Sequence, residues 1–232
     1  MKEKSILLAS VFGMLIIASA TYAATINVTP ATTIDQLCKS LGYTLSSTPP
    51  PTTPPPTPPP PTPPPNGNEV VRTSVYITGF GYPDNTPPNS DAICCGVLHG
   101  SHAGGTGTYT DPITVAVGHV ISGGKDTLDF PAGTRFYIPN LRRYFMVEDA
   151  CGDGNTPQNG PCHNLSQADA GATLWLDVWV GGVGASSGPV ISCEDAITAL
   201  HTVIQNPNST HPVVVGPVYN GACSQQYGEV IQ

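Results

Sequence analysis

The fold of this chain is decided by the stretch Leu174-Trp175-Leu176-Asp177-Val178-Trp179-Val180. Read as a β-strand, it alternates its side chains between two faces. One face is aliphatic and belongs in a core. The other face carries Trp175 and Trp179 with Asp177 between them.

Two interpretations of the tryptophan face are open. Its aromatic rings could stack on pyranose rings while Asp177 hydrogen-bonds hydroxyls or exchanges a proton. Alternatively, the tryptophans form a second buried layer, and backbone amides satisfy Asp177.

Short β-favouring runs recur on both sides of this stretch, and Gly, Pro, Asn and Asp clusters separate them. They predict strands over Val70–Phe80, Ile113–Val120, Thr134–Ile138, Tyr144–Glu148, Leu174–Val180 and Val213–Val218. One helix is predicted from Ser192 or Cys193, with Ala196, Ile197, Leu200 and Ile204 on its apolar face. This spacing favours a mainly β barrel or sandwich.

A second acidic cluster follows one of these strands, in the sequence Glu148-Asp149-Ala150-Cys151-Gly152-Asp153. Asp149 emerges where the strand ends and the Cys151 loop begins. Glycosidic cleavage needs two carboxyl groups, one protonated as the acid and one ionised as base or stabiliser. Asp149 and Asp177 are therefore the candidate catalytic pair. A structural or calcium-binding loop is the alternative for Asp153.

The glycine-rich loop over 104–112 lets a backbone approach a ligand, but it lacks the Gly-Lys-Ser/Thr of a nucleotide-binding loop. Asp111 precedes a proline and is a candidate turn residue. No further His or carboxylate pattern completes a metal site around His99 and His102. We therefore predict neither a metal nor a cofactor.

The charge balance restricts the partners. The chain has 8 basic and 16 acidic residues and a net charge of −8. A nucleic-acid or anionic membrane surface would need clustered Lys and Arg. Neutral or basic partners are therefore expected, and nucleic acid is excluded.

The N-terminal sequence predicts export. Lys2 and Lys4 precede an apolar run from Ile6 to Ala18, and small residues follow. This is the pattern of a signal peptide over 1–23, and the run is shorter than the roughly 20 residues of a membrane span. We expect a secreted, extracellular or cell-wall protein with no membrane contact after cleavage.

The rest of the chain divides into three parts. Residues 24–47 form a small segment in which Cys38 lies on an apolar helical stripe. Residues 48–68 are a Pro/Thr-rich linker, and its stretch from Pro49 to Pro65 is expected to form extended polyproline II about 50 Å long. Residues 69–232 are long enough to form one domain with its own core.

Disulfides are the default state of cysteines in an exported protein. Besides Cys38, the candidates are Cys94, Cys95, Cys151, Cys162, Cys193 and Cys223. Cys151 with Cys162 is the preferred pair, and Cys94 is not expected to bond to its neighbour Cys95, because adjacent residues rarely do so. Glycosylation sequons begin at Asn27, Asn164 and Asn208.

Three motifs resemble those of double-psi β-barrel proteins. They are Phe130-Pro131-Ala132-Gly133-Thr134-Arg135-Phe136-Tyr137-Ile138, then Val147-Glu148-Asp149, then Leu176-Asp177-Val178. Their succession is similar to "P-x-G-T-x-x-Y-I … D … x-D-x" in the three-aspartate domain of lytic transglycosylases, the family-45 type of endoglucanases and the expansins. The likeness covers about half of the domain.

The resemblance implies a six-stranded double-psi β-barrel with short helices, preceded by the Pro-rich linker. It places Asp149 and Asp177 in an open polysaccharide groove, Trp175 or Trp179 as stacking aromatics, and Tyr109 as a groove tyrosine. Asp111 is a substrate-binding candidate, because it could stand in for an earlier aspartate of the family pattern. Asp84, which lies in a Pro/Asn turn, is a poor match to the early aspartate of the glycosidases.

These observations lead to one expectation and two alternatives. The expected protein is expansin-like and binds or remodels cell-wall polysaccharide, whether glucan, chitin or peptidoglycan. The first alternative is a glycoside hydrolase or lytic transglycosylase with Asp177 as general acid or base. The second is a non-catalytic defence or structural protein of the barwin kind.

Overall fold

The computed structural model describes residues 7–11, 14–19, 22–27 and 69–230. The chain divides into two compact units, residues 1–62 and 63–232. In the first unit, β1 (Leu7–Val11), β2 (Met14–Ser19) and β3 (Tyr22–Asn27) form an antiparallel sheet in that order. The Cys38 segment and the Pro/Thr linker lie outside the described residues and stay predictions.

The second unit contains seven strands that form one mixed sheet. They are β4 (Val70–Gly81), β5 (Ile113–Ser122), β6 (Lys125–Leu128), β7 (Arg135–Ile138), β8 (Arg143–Cys151), β9 (Leu174–Gly181) and β10 (Ala199–Gln205). The mainly β prediction is confirmed. Five of the predicted runs coincide with β4, β5, β7, β8 and β9.

The sixth predicted strand, Val213–Val218, is wrong, because this segment belongs to no strand. Instead, it lies alongside two loops, with the Val214 N–H bonded to the Arg142 carbonyl and the Gly216 N–H to the Thr106 carbonyl. Its backbone groups are thus satisfied without a ladder.

The predicted helix is displaced toward the N-terminus. Helix α1 spans Ser187–Ile197, and β10 begins at Ala199. Leu200 and Ile204, which were assigned to the helix, pair with Tyr76 and Val71 of β4. The run Thr-Val-Ile over 202–204 is β-branched, which favours an extended chain once a partner strand is available.

The strand order of the sheet is β6-β5-β8-β7-β10-β4-β9, and an additional pairing of β5 with β9 closes a ring of hydrogen bonds. The strands of two pairs, β5–β8 and β4–β9, run parallel, and those of the other pairs run antiparallel. Strand β6 extends from β5 outside the ring. The closure brings β8 and β9 to opposite sides of β5.

The core fills the space that the strands and α1 enclose. Leu176, Val178 and Val180 are fully buried, which confirms the aliphatic face of β9 as a core face. They pack with Val75, Ile77, Val115, Val117, Phe136, Ile138, Phe145, Val147, Val190 and Ile197. In the described part of the chain, no helix has the length and apolar character to span a membrane.

Three disulfides join Cys94 to Cys95, Cys151 to Cys162, and Cys193 to Cys223. The preferred Cys151–Cys162 pair is confirmed. The expectation that Cys94 and Cys95 would not bond to each other is wrong. Strand β8 holds both residues, because Cys94 N–H donates to the Asp149 side chain and Cys95 N–H to the Glu148 carbonyl.

Candidate active site

An open pocket of about 230 Å³ lies at the ends of strands β4 and β8 and beside the middle of β9. Four aspartates contribute to it, together with the β5 residue Ala116; two of them, Asp149 and Asp177, lie on strands, and Asp84 and Asp153 lie on the loops that follow β4 and β8. Its lining consists of Phe80, Asp84, Asn85, Thr86, Ala116, Asp149, Ala150, Cys151, Gly152, Asp153 and Asp177. The structure therefore brings together the two predicted catalytic residues, Asp149 and Asp177.

The register of the strands sets the positions of these two residues. Ala116 of β5 pairs with Asp149 on one side and with Asp177 on the other. The β5–β8 ladder shifts here, since Val115 pairs with Val147 while Ala116 pairs with Asp149. The extra residue is Glu148, as in a β-bulge that re-aims a side chain.

Asp177 lies at the end of a chain of hydrogen bonds. Trp175 Nε1 donates to Thr78 Oγ1 at 2.9 Å, and Thr78 Oγ1 donates to Asp177 Oδ1 at 2.6 Å. Desolvation raises the pKa of Asp177 to about 7, and the nearby charges of Asp84 and Asp149 add to the rise against the opposing Thr78 bond. Asp177 can therefore hold or release a proton near neutral pH.

Asp149 is buried, with only 8% of its surface exposed. Cys94 N–H donates to Asp149 Oδ1 at 3.1 Å. Burial raises the pKa of Asp149, while hydrogen bonds from the backbone of Cys94 and Ala150 and the charge of His119 oppose the rise. Both β-strand aspartates of the pocket thus have raised pKa values, for the same dominant reason.

Asp84 is the third carboxylate of the pocket, which sequence reasoning placed in a turn and set aside. Gly81 N–H, at the end of β4, donates to Asp84 Oδ1 at 2.9 Å and fixes the side chain. The parallel pairing of β4 with β9 brings this strand end beside Gly181, at the end of β9. This pairing relates Asp84 to Asp177, and the sequence offered only the poor match of Asp84 to the early aspartate of the glycosidases.

The tryptophans do not form an open platform. Trp175 is 8% and Trp179 is 4% exposed. Trp175 packs edge-on against Tyr76 at 5.0 Å, and Trp179 packs against Phe80 at 5.3 Å, both between ring centroids. This placement favours the second buried layer over stacking aromatics, although the Thr78 hydroxyl, and not the backbone amides that this alternative expected, donates to Asp177.

Tyr109 and Asp111 are not among the lining residues of the pocket. Tyr109 packs edge-on against Tyr144 at 5.3 Å, and the Arg135 guanidinium lies 4.7 Å from the centre of its ring. Asp111 Oδ1 lies 3.0 Å from His99 Nε2. Their substrate-binding assignment is not favoured by this placement.

Glu148 organises a buried polar cluster that the sequence did not reveal. Its Oε1 accepts the backbone N–H groups of Val97, Leu98 and His99, and its Oε2 lies 2.5 Å from His99 Nδ1 and accepts from Thr114. Burial alone would raise the pKa of Glu148, but the His99 bond and the backbone bonds lower it to about 2. The Glu148 bond, together with the Asp111 bond, raises the pKa of His99 against the opposing effect of burial. This charge anchors the loop that carries Cys94 and Cys95.

One group of potential metal ligands converges within 4.8 Å among the described residues, namely Cys151, Cys162 and Asp177. The two cysteines are bonded to each other and offer no thiolate. The contact instead places an apolar disulfide against the Asp177 carboxyl, which adds to its desolvation.

Two of the three sequons lie among the residues with described side chains. In both, the asparagine Oδ1 accepts the N–H two residues on, from Ser166 to Asn164 at 3.2 Å and from Thr210 to Asn208 at 2.9 Å. Both asparagines are half-buried. Their glycosylation stays a prediction, and the side chain of Asn27 lies outside the described part.

Comparison with known proteins places this domain in a family. Residues 72–226 match the family described as DDB_G0273701 N-terminal domain. The chain belongs to this family. One relative is a Dictyostelium discoideum protein described as uncharacterized protein DDB_G0273701/DDB_G0273221. It is 34% identical to this chain over 146 residues. The match covers 62% of this chain and 56% of that protein, so the chain spans little more than half of its relative.

No solved structure matches the chain. The matched region contains the whole pocket, from Phe80 to Asp177, and all three disulfides. The candidate site therefore lies within the DDB_G0273701 N-terminal domain itself.

Proposed function

We propose that the second unit is a secreted double-psi β-barrel that binds cell-wall polysaccharide in the pocket around Asp149 and Asp177 and cleaves it, with Asp177 as the proton donor. The observation that carries the proposal is the convergence of Asp84, Asp149 and Asp177 on one open pocket. Glycosidic cleavage requires two carboxyl groups, one protonated and one ionised.

The barrel assignment is supported by the ring of hydrogen bonds. Six strands, β5, β8, β7, β10, β4 and β9, lie in the ring, with β6 outside it. The two parallel pairs, β5–β8 and β4–β9, are joined by antiparallel neighbours. This mixed order agrees with the motif resemblance on 130–138, 147–149 and 176–178.

Secretion is supported by the signal-peptide pattern and by the disulfides. Three cystines in a domain of this size are typical of proteins that mature in an oxidising compartment. The expected partners are therefore extracellular. Uncharged glycans suit a pocket that holds several carboxyls and, among its lining residues, no basic side chain.

The division of labour follows from the environments of the carboxyls. Asp177, with a pKa of about 7, gives its proton to the glycosidic oxygen as the C–O bond breaks. A second carboxylate, either Asp149 or Asp84, stabilises the positive charge that develops on the sugar ring. It also accepts a proton from the attacking water.

A second candidate function is expansin-like binding without turnover. The observation in its favour is the engagement of Asp149, which is buried and already accepts the Cys94 N–H. A carboxylate held in this way has little freedom to reach a water molecule. In that case Asp84 and Asp177 would only hydrogen-bond sugar hydroxyls.

The deciding experiment incubates the mature chain with soluble β-1,4-glucan, chitin oligomers and peptidoglycan, and analyses the products by mass spectrometry. An enzyme gives new reducing ends or anhydro-sugars, and Asp177→Asn lowers the rate at least a hundredfold. Asp169→Asn is the matched control, because Asp169 is exposed and does not line the pocket.

Each outcome has a distinct meaning. Pulldown of a polysaccharide without products would replace cleavage by the binding function. Products that persist unchanged in Asp177→Asn would remove Asp177 from the mechanism. Neither products nor pulldown with any of the three glycans would overturn the polysaccharide proposal.

A further inference from the structure

A glutamate lies buried behind the pocket and is used by nothing described so far. Glu194 belongs to α1, is 6% exposed, and packs against β4. Its Oε1 has no hydrogen-bond partner within the described residues. An unpartnered carboxyl oxygen at this depth is costly unless the group is neutral or shares a proton.

Two glycines of β4 make the space for this side chain. A Cβ added to Gly79 would lie 3.0 Å from Glu194 Cγ, and one added to Gly81 would lie 2.8 Å from Glu194 Oε1. Gly81 is also the residue whose N–H holds Asp84. The glutamate therefore reaches the strand end at which Asp84 enters the pocket.

The charged groups that face Glu194 are all acidic. They are Asp84 after β4, Asp177 on β9 and Asp195 on α1 itself. Burial raises the pKa of Glu194 to about 8, and the acidic neighbours Asp84, Asp177 and Asp195 raise it further. The described ion pairs do not include Glu194.

We propose that Glu194 is a positioning residue, a neutral acid that donates its proton in a hydrogen bond to Asp84 and so holds Asp84 ionised and oriented in the pocket. This inference rests on the proposed function for its catalytic meaning. With Gly81 N–H and Glu194 both donating to it, Asp84 keeps a fixed orientation, and its remaining lone pairs face the pocket.

A shared proton explains the cluster better than a cation does. A metal would need the carboxylate oxygens to converge, and the described group of convergent ligand atoms does not include Asp84 or Glu194. A proton needs only one carboxyl–carboxyl contact. It also removes the charge that would otherwise be buried beside Asp177.

The first test does not depend on activity. The side-chain carboxyl carbons of the ¹³C-labelled mature chain are titrated by NMR from about pH 3 to pH 10. We expect Glu194 to titrate near pH 8 and the Asp84 carbon to shift in the same step. In Glu194→Gln this step disappears from Asp84. An ordinary titration of Glu194 between pH 4 and 5, or an Asp84 signal without a step near pH 8, would overturn the inference.

The second test uses turnover. Glu194→Gln keeps an N–H donor toward Asp84 at every pH, whereas Glu194→Met removes the donor at similar size. We expect Glu194→Gln to retain kcat within about threefold at pH 7 and to lose less activity than the native chain above pH 8. Glu194→Met should lower kcat about tenfold with KM little changed.

The two proposals fail in different ways. If the coupled titration is present but no glycan is cleaved, Glu194 still positions Asp84 and the enzymatic function is wrong. If glycan is cleaved but Glu194→Met is as active as the native chain, the positioning role is wrong. Should Glu194→Met fail to fold, the titration of the native chain and of Glu194→Gln still decides the question.

Discussion

Asp149 and Asp177 lie in one row of the sheet, separated only by Ala116, which pairs with both. Neighbouring strands are about 4.8 Å apart, so the two backbone positions are roughly 10 Å apart. All three residues line the pocket. The smallness of Ala116 therefore keeps the pocket open between them.

Filling this gap should close the site. Ala116→Leu places a branched side chain between the two carboxyls, and we expect polysaccharide pulldown to fall at least tenfold. Because Ala116 is 3% exposed, the larger side chain should also lower the free energy of unfolding by about 1–3 kcal/mol. Ala170→Leu, at an exposed position outside the pocket, is the control. A folded Ala116→Leu variant that binds glycan normally would contradict the assignment of the pocket.

Asp177 should make stability fall as pH rises toward neutrality. Its pKa of about 7 exceeds the value of about 3.9 in an unfolded chain, so the native state binds more protons between these values. In Asp177→Asn the free energy of unfolding no longer falls for this reason, and the asparagine oxygen still accepts from Thr78. We expect the variant to be more stable than the native chain by about 4 kcal/mol at pH 8 and nearly equal to it at pH 4.

Urea unfolding at several pH values measures this difference. A stability difference between the two proteins that stays constant from pH 4 to pH 8 would show that Asp177 titrates as an ordinary aspartate.

Glu148 should have the opposite pH dependence. Its pKa is lowered to about 2, so its stabilising contribution is complete above the unfolded value near 4.3 and is lost as pH falls through 2. Glu148→Gln breaks a buried charge cluster that holds three backbone N–H groups and His99, and should cost about 3–5 kcal/mol at pH 6. Thermal unfolding across acidic pH checks this expectation.

The control for Glu148 is Glu229→Gln, because the Glu229 side chain is 42% exposed where it meets His201. Removal of this exposed charge should cost no more than about 1 kcal/mol. Equal costs for the two substitutions would show that burial does not strengthen the Glu148 cluster.

The disulfides should differ in what they stabilise. Cys94 and Cys95 are adjacent, so their bond closes almost no loop and restricts the unfolded chain little. The double substitution of both by Ser should cost less than about 1 kcal/mol of global stability, yet weaken glycan binding by releasing the N–H that holds Asp149.

The Cys151–Cys162 bond closes a loop across a sequence separation of 11, and its removal should cost about 3 kcal/mol. Chemical denaturation of both double variants, with glycan pulldown in parallel, tests the contrast. A large global loss from the Cys94/Cys95 variant would assign that bond a structural role instead.

Local pattern was sufficient for most of the strands and for part of the site. The alternation in Leu174–Val180 predicts a strand with an aliphatic core face, and Leu176 and Val178 are fully buried. The alternation did not decide what the tryptophan face contacts. A tryptophan that packs against Phe80 and one that meets a sugar have the same sequence pattern, because period two reports alternation and not what covers each face.

The end of the helix shows a similar limit. Leu200 and Ile204 fit a helical stripe, but β4 offers them a ladder, and the β-branched residues between them complete it. Tertiary pairing overrides a weak local preference.

The sequence by itself determined that the domain is mainly β and singled out Asp149 and Asp177 as candidate acids, while an exported leader region and a proline-rich linker before the domain stay predictions. Burial and alternation are local constraints, so a single strand displays them. Only the tertiary structure decided that Asp84 joins these two, that Ala116 separates them and that Glu194 lies behind them. Those relations depend on the ring closure and on a register between segments distant in sequence, which hydrogen bonds across strands fix and no single segment encodes.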